Sequence, residues 1–117
     1  VAATGQGAVG SFAGGQAITI FRSRRRPEAE SDYQRVVAAM QAAARDTPGF
    51  VDFKTFSADD GEKVSVVTFA TPAAQQAWRD DPRHRRAQQQ GRDDFYVEYS
   101  IQVGECSHVS HWVREPG

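Results

Sequence analysis

The sequence predicts an α+β domain whose elements follow the order β-α-β-β-α-β. Three observations carry that prediction. Four short runs rich in Val, Ile, Thr, Tyr and Phe are interleaved with stretches whose apolar residues recur every three or four positions. Asp59-Asp60-Gly61, a hairpin signal, separates the second and third runs. Pro27, Pro72 and Pro82 stand where helices would begin.

Residues 1–15 are rich in Gly and Ala without an apolar period, and read as a flexible tail. Residues 17–22 are β-branched and aromatic, which predicts the first strand. Pro27 suits a first helical turn, and Glu28 and Glu30 sit well at its positive end. Tyr33, Val36, Val37, Met40, Ala43 and Ala44 then form one helical face, which Thr47-Pro48-Gly49 ends. Residues 50–57 and 63–70 predict strands two and three. Thr71-Pro72 opens a helix carrying Ala73, Ala74, Ala77 and Trp78, and Asp81-Pro82 repeats that start signal. The second segment runs through His84 to about residue 90, with Gly91 expected as its C-cap. Residues 95–103 predict the fourth strand, with Phe95, Val97, Tyr99, Ile101 and Val103 on one face. Residues 107–117 form an extension whose Trp112 is expected to pack on a partner, leaving 16–106 as the domain.

This order is the ferredoxin-like arrangement, with an antiparallel sheet. Its helices cover one sheet face. Strands two and three are apolar on both parities, Val51 and Phe53 against Phe50 and Phe56, and Val64 and Val66 against Val67 and Phe69. Burial on both sides predicts a sheet packed on a second subunit, hence a homodimer.

Composition narrows the function classes. A chain of 117 residues is one domain by size. A net charge of −1 points to neither nucleic acid nor membrane. The arginines at 22–26 and 79–86 read as solvated faces or ion pairs rather than an anion site. A single cysteine, Cys106, excludes an intramolecular disulfide and fits a cytoplasmic location. No apolar run approaches the roughly 20 residues that span a bilayer, and the first residues do not read as a signal peptide. The chain contains no leucine and no asparagine, so its core must come from Val, Ile, Phe, Ala and the larger aromatics.

His84 is the candidate catalytic acid or base, because imidazole titrates near neutral pH. Its neighbours Arg83, Arg85 and Arg86 are expected to favour the neutral form that a base requires. Trp78 is read as core, or as the wall of a pocket for a planar aromatic ligand. Tyr96 and Tyr99 are three apart on a strand, so opposite faces are expected, with at most one hydroxyl in a given pocket. Cys106, His108 and His111 lack zinc-site spacing and a fourth ligand, so no metal is expected. No phosphate loop, nucleotide fingerprint or GxSxG motif is present.

The run from Trp78 through Asp81-Pro82, His84 and Gln88, then Gly91-Arg92 and Phe95-Tyr96-Val97-Glu98-Tyr99, with Gly49-Phe50 upstream, resembles the antibiotic biosynthesis monooxygenase family over roughly residues 16–105. The resemblance implies a dimeric α/β barrel with a cavity between sheet and helices, into which Ser65, Val67 and Phe69 would face. It implies no cofactor, with O2 and a small aromatic molecule as partners. Phe53 or Phe56, Ser65, Val67, Phe69, Trp78, Tyr96 and Tyr99 become candidate substrate contacts. His84 would remove a proton to give an electron-rich carbanion that passes an electron to oxygen. The same cavity would serve an isomerase, a cyclase or a non-catalytic binding domain. Heme-degrading relatives carry an asparagine on the first strand, a tryptophan ending the third and a histidine on the second helix. His84 resembles the last, Phe69 takes the tryptophan's place and no asparagine exists. Anthrone oxygenases of the superfamily use asparagine and tryptophan around the third strand, where Ser65 and Phe69 stand here.

Overall fold

Two side-chain caps decide where the second half of the chain turns helical. The Thr71 hydroxyl accepts the Ala74 N–H at 3.1 Å, and an Asp81 carboxylate oxygen accepts the Arg83 N–H at 2.8 Å. Each cap is followed by proline at the first helical position. The computed structural model describes residues 12–116. Its elements are β1 (Ala17–Arg25), a 3-10 turn (Pro27–Ala29), α1 (Glu30–Arg45), β2 (Phe50–Ser57), β3 (Lys63–Phe69), α2 (Pro72–Asp80), α3 (Pro82–Gln90), a π turn (Gly91–Phe95) and β4 (Tyr96–Glu105). The expected order is therefore present. Of the predicted tail, residues 1–11 lie outside the described part, and Gly15 donates its N–H to the Cys106 carbonyl at 2.8 Å.

The sheet order is β2-β3-β1-β4, antiparallel throughout, as the ferredoxin-like arrangement requires. β1 lies at its centre, with Phe21 opposite both Ser65 and Ile101. It runs three residues past the expected strand, through Arg25. All three of the strand's arginines are ion-paired: Arg22 meets Glu62 at 2.8 Å and Arg24 meets Asp60 at 2.7 Å, both carboxylates in or beside the β2–β3 turn, and Arg25 meets Glu30. All three helices lie on one face. Tyr33, Val36, Met40, Ala43 and Ala44 of α1 are buried there, following the period read from the sequence. Val67, Phe69 and Trp78 join Ala43 and Ala44 in one core cluster.

Two register shifts change which residues share a face. In β2 the pairing skips from Phe50 to Asp52, so Phe50 and Phe53 both point to the helices although three apart. Phe50 meets Phe69 there, and Phe53 meets Trp78. In β4 the pairing skips Val97, so Tyr96 and Tyr99 also fall on one face. Their ring centroids are 5.4 Å apart, and both touch Phe21. The expectation of opposite faces fails because strict alternation ends at a bulge. Val97 is left exposed, and Phe95 sits buried in the π turn before the strand.

Gly91 does not end α3 in a left-handed conformation. Its φ of −59° is helical, and the chain continues into the π turn. A β-carbon there would lie 2.3 Å from Cε2 of Tyr96, so glycine is required by the tyrosine ring and not by the backbone angle. We expect Gly91→Ala to destabilise the fold by about 1–3 kcal/mol through overpacking, read as a lower urea midpoint. A double variant with Tyr96→Ala should recover part of that loss, and full additivity of the two would refute the contact.

Candidate active site

A cavity of about 460 Å³ separates the helical layer from the sheet. Its volume falls in the range of small-molecule sites, roughly 300–1,000 Å³. The sheet supplies Thr19, Phe21, Phe53, Ser65 and Val67 to the wall, and β4 adds Ile101 and Val103. Tyr33, Val37 and Met40 come from α1, Gln75 and Trp78 from α2, and His84 and Gln88 from α3. Tyr96 also lines it, as do the exposed Gln76, Arg79, Asp80 and Arg85.

Trp78 and His84 occupy adjoining helices because Asp81-Pro82, which lies between them, ends α2 and starts α3. Trp78 is 4% exposed, and its Nε1 donates to the Met40 carbonyl at 3.3 Å. The His84 ring lies edge-on to it, with centroids 4.4 Å apart at 67°. His84 is 7% exposed, and its Nδ1 is buried without a hydrogen-bond partner. Two neutral pairs complete the polar wall. The Gln75 Nε2 donates to the Thr19 hydroxyl at 3.1 Å, and the Thr55 and Ser65 hydroxyls share a hydrogen bond of 2.8 Å.

Burial is the main cause that lowers the His84 pKa below its ordinary 6.5. The Asp81 carboxylate pushes it upward, and Arg79 adds a smaller downward push. Two of the arginines expected from the sequence to favour the neutral ring are engaged elsewhere. Arg83 is held by Asp81 at 3.0 Å and Asp46 at 2.9 Å, and Arg85 by Asp80 at 3.1 Å. Burial also raises the Tyr96 hydroxyl well above the usual phenol range, with Tyr33 and Tyr99 adding to the shift. Tyr96 is therefore a neutral hydroxyl at physiological pH.

Of the residues singled out from the sequence, Phe53, Ser65, Val67, Trp78, His84 and Tyr96 lie together on the cavity wall. Phe69 does not. It is fully buried behind Trp78, with ring centroids 5.4 Å apart. Tyr99 stands in a second row against Phe21 and Tyr96, its hydroxyl accepting from Arg92 at 3.0 Å. Phe56, the alternative to Phe53, is on the opposite sheet face and 52% exposed. Sequence reasoning missed Thr19, Gln75 and Tyr33 as wall residues. Gln75 was detectable as the residue one helical turn before Trp78, and Thr19 as the strand neighbour of Phe21 on the same face.

These features define an α+β domain of ferredoxin-like order with a ligand-sized cavity under its helices. The family model for antibiotic biosynthesis monooxygenase (ABM) matches residues 17–90, more than half of the chain, and the protein belongs to that family. Protein YqjZ of Bacillus subtilis (strain 168) is 28% identical over 76 residues, which span 65% of this chain and 67% of YqjZ. Among solved structures, Rv0793 from Mycobacterium tuberculosis superposes with a TM-score of 0.70 at 20% identity, covering 82% of this chain and 97% of Rv0793. SnoaB from Streptomyces nogalater, a cofactor-independent oxygenase solved as a point mutant, gives 0.70 at 14% identity, covering 81% of this chain and 96% of SnoaB. At these identities the structural likeness establishes the fold alone.

The direction of the His84 shift has a consequence for stability. An unfolded chain takes up a proton at this imidazole near pH 6.5, before the folded chain does. The contribution of His84 to stability is thus complete above about pH 6.5 and is lost as pH falls toward the folded pKa. We expect the urea midpoint to drop as pH falls below about 6.5, and to drop less in His84→Gln. Equal slopes in both proteins would show that burial does not hold this ring neutral.

Proposed function

We propose that this protein is a cofactor-independent monooxygenase acting on an aromatic, polyketide-type small molecule. The observation that carries this reading is a buried imidazole on the wall of an aromatic-lined cavity of ligand size. Family membership and a fold shared with a cofactor-independent oxygenase support it. Phe21, Phe53 and Trp78 offer ring faces and edges to a planar substrate. Ser65, Thr19 and the Tyr96 hydroxyl offer neutral hydrogen-bonding groups.

In this reading the substrate carries an acidic C–H beside a phenolic ring system. Loss of that proton gives a carbanion, which passes one electron to O2. The substrate radical and superoxide combine to a peroxide, which takes a proton and loses water to leave a carbonyl. One oxygen atom enters the product and the other leaves as water, and the substrate supplies all four electrons. His84, alone among the chain's three histidines on the cavity wall, is the residue that handles the charge created by proton loss. Oxygen uptake with a panel of anthrones and hydroquinones tests the proposal. We expect turnover above the protein-free rate, reduced about 10²-fold or more in His84→Ala. No uptake with wild-type protein would sink the oxygenase reading for those substrates.

A second reading, ligand binding without oxygen chemistry or an isomerisation in the same cavity, has one observation in its favour. Phe69 and Ser65 stand where the cofactor-free oxygenases carry tryptophan and asparagine, and Phe69 is shut behind Trp78. Tight binding of the same compounds with no oxygen consumption would select it.

The protein is further proposed to work as a homodimer through the sheet face opposite the helices. Ile18, Ile20, Val64, Val66 and the exposed Phe56 give that face an apolar row. We expect Ile20→Asp with Val66→Asp to convert a dimer to a monomer in analytical ultracentrifugation. A wild-type protein that sediments as a monomer at micromolar concentration would overturn this part.

A further inference from the structure

We infer that His84 works as a neutral hydrogen-bond donor through Nε2, holding a negatively charged oxygen of the substrate, and not as the base that takes the substrate's proton. The inference rests on the proposed function only for the aromatic, oxygen-bearing character of the ligand.

The geometry divides the two ring nitrogens. Nδ1 is sealed by protein and has no partner. His84 nevertheless lines the cavity, so the edge of the ring that the cavity reaches is the Nε2 edge. A neutral imidazole carries one proton, and its place is set by what each nitrogen meets. A buried N–H without an acceptor is among the rarest situations in folded proteins, and an under-satisfied acceptor is less costly. The proton therefore belongs on Nε2, where the cavity supplies a partner, and the bare lone pair on Nδ1.

The position of His84 in its helix points the same way. It is the third residue of α3, inside the first turn, where the aligned peptide dipoles place partial positive charge, part of which the capping Asp81 carboxylate offsets. That field disfavours an imidazolium. A helix start that keeps a histidine neutral so that it donates to a substrate oxygen is a known arrangement in catalysis. Around the ring, Arg79 of α2 and the burial itself oppose protonation, and the Asp81 cap alone favours it, while Tyr33 and Tyr96 are neutral hydroxyls. To accept a proton at Nε2, the ring would have to place an N–H on the sealed Nδ1.

The rest of the wall fits an anion arriving in the cavity. Its polar groups include the uncharged Ser65, Thr19, Gln75 and Tyr96 and the cationic Arg79 and Arg85, and Asp80 is engaged by Arg85. The ligand class is an aromatic enol or phenol acidic enough to enter as its anion, so that deprotonation precedes binding and the donor stabilises the charge.

Two measurements test this. Long-range ¹H–¹⁵N correlation spectra of the wild-type protein at pH 7.5 should show His84 as the Nε2–H tautomer, and an Nδ1–H ring would overturn the inference whatever the protein binds. Calorimetric titration with 2-hydroxy-1,4-naphthoquinone, an acidic hydroxyquinone, supplies the second. His84→Gln places an amide N–H near the Nε2 position but is no base. We expect it to keep affinity within about threefold of wild type, with His84→Ala weaker by about tenfold. Loss in both variants alike would overturn the donor role. Should the wild type fail to bind this probe, the proposed ligand class falls, and the tautomer spectrum still decides the role of His84.

Discussion

Trp78 is the residue on which the architecture of the site depends. It is the point where α1, the sheet, α2 and α3 meet. Its indole packs on Phe53 and Phe69 from the sheet side and on His84 from α3, and its N–H is satisfied by the Met40 carbonyl of α1. A large aromatic of this kind contributes buried area that smaller side chains cannot, and it does so without leaving its polar atom unpaired. In a chain with no leucine, aromatic contacts of this type do the work that aliphatic interdigitation does elsewhere. A cavity of about 460 Å³ lies beside Trp78, between these rings and the sheet.

Two bulges then turn the sheet into a site. A regular strand offers every second residue to one face, which would send one member of Phe50/Phe53 and of Tyr96/Tyr99 away from the helices. The extra residues at Val51 and Val97 bring both members of each pair to the helical side. Phe53 then reaches Trp78, and Tyr96 reaches both the cavity and Phe21. Gly91 belongs to the same device, because the space its missing side chain leaves is taken by the Tyr96 ring. The irregularities are thus concentrated around the cavity, where local departures from regular geometry are most often found.

The charged residues that border the cavity, Arg79, Asp80 and Arg85, are all exposed. Several of the arginines are held by carboxylates, in Arg22–Glu62, Arg24–Asp60, Arg83–Asp81 and Arg85–Asp80. None of these exposed pairs contributes much to stability. The other polar groups of the wall are uncharged glutamines and hydroxyls, together with the buried His84.

The sequence by itself determined the element order, the helix starts and most of the buried face of α1. Those features depend on local causes: a cap followed by proline, a hairpin turn, and a period of three to four residues. It also singled out six residues that share the cavity wall, because Trp78, His84 and Tyr96 lie close along the chain and Phe53, Ser65 and Val67 lie on paired strands. Only the tertiary structure decided the rest. Phe69 was removed from the wall by Trp78, which is a matter of which ring lies in front. Tyr99 was brought to the same face as Tyr96 by a bulge that no residue in β4 announces. Thr19 and Gln75 entered the wall through a contact between residues 56 positions apart. The causes that hold His84 neutral were also reassigned, from neighbouring arginines to burial, because ion pairing reaches across the fold while a sequence shows only which charges are adjacent.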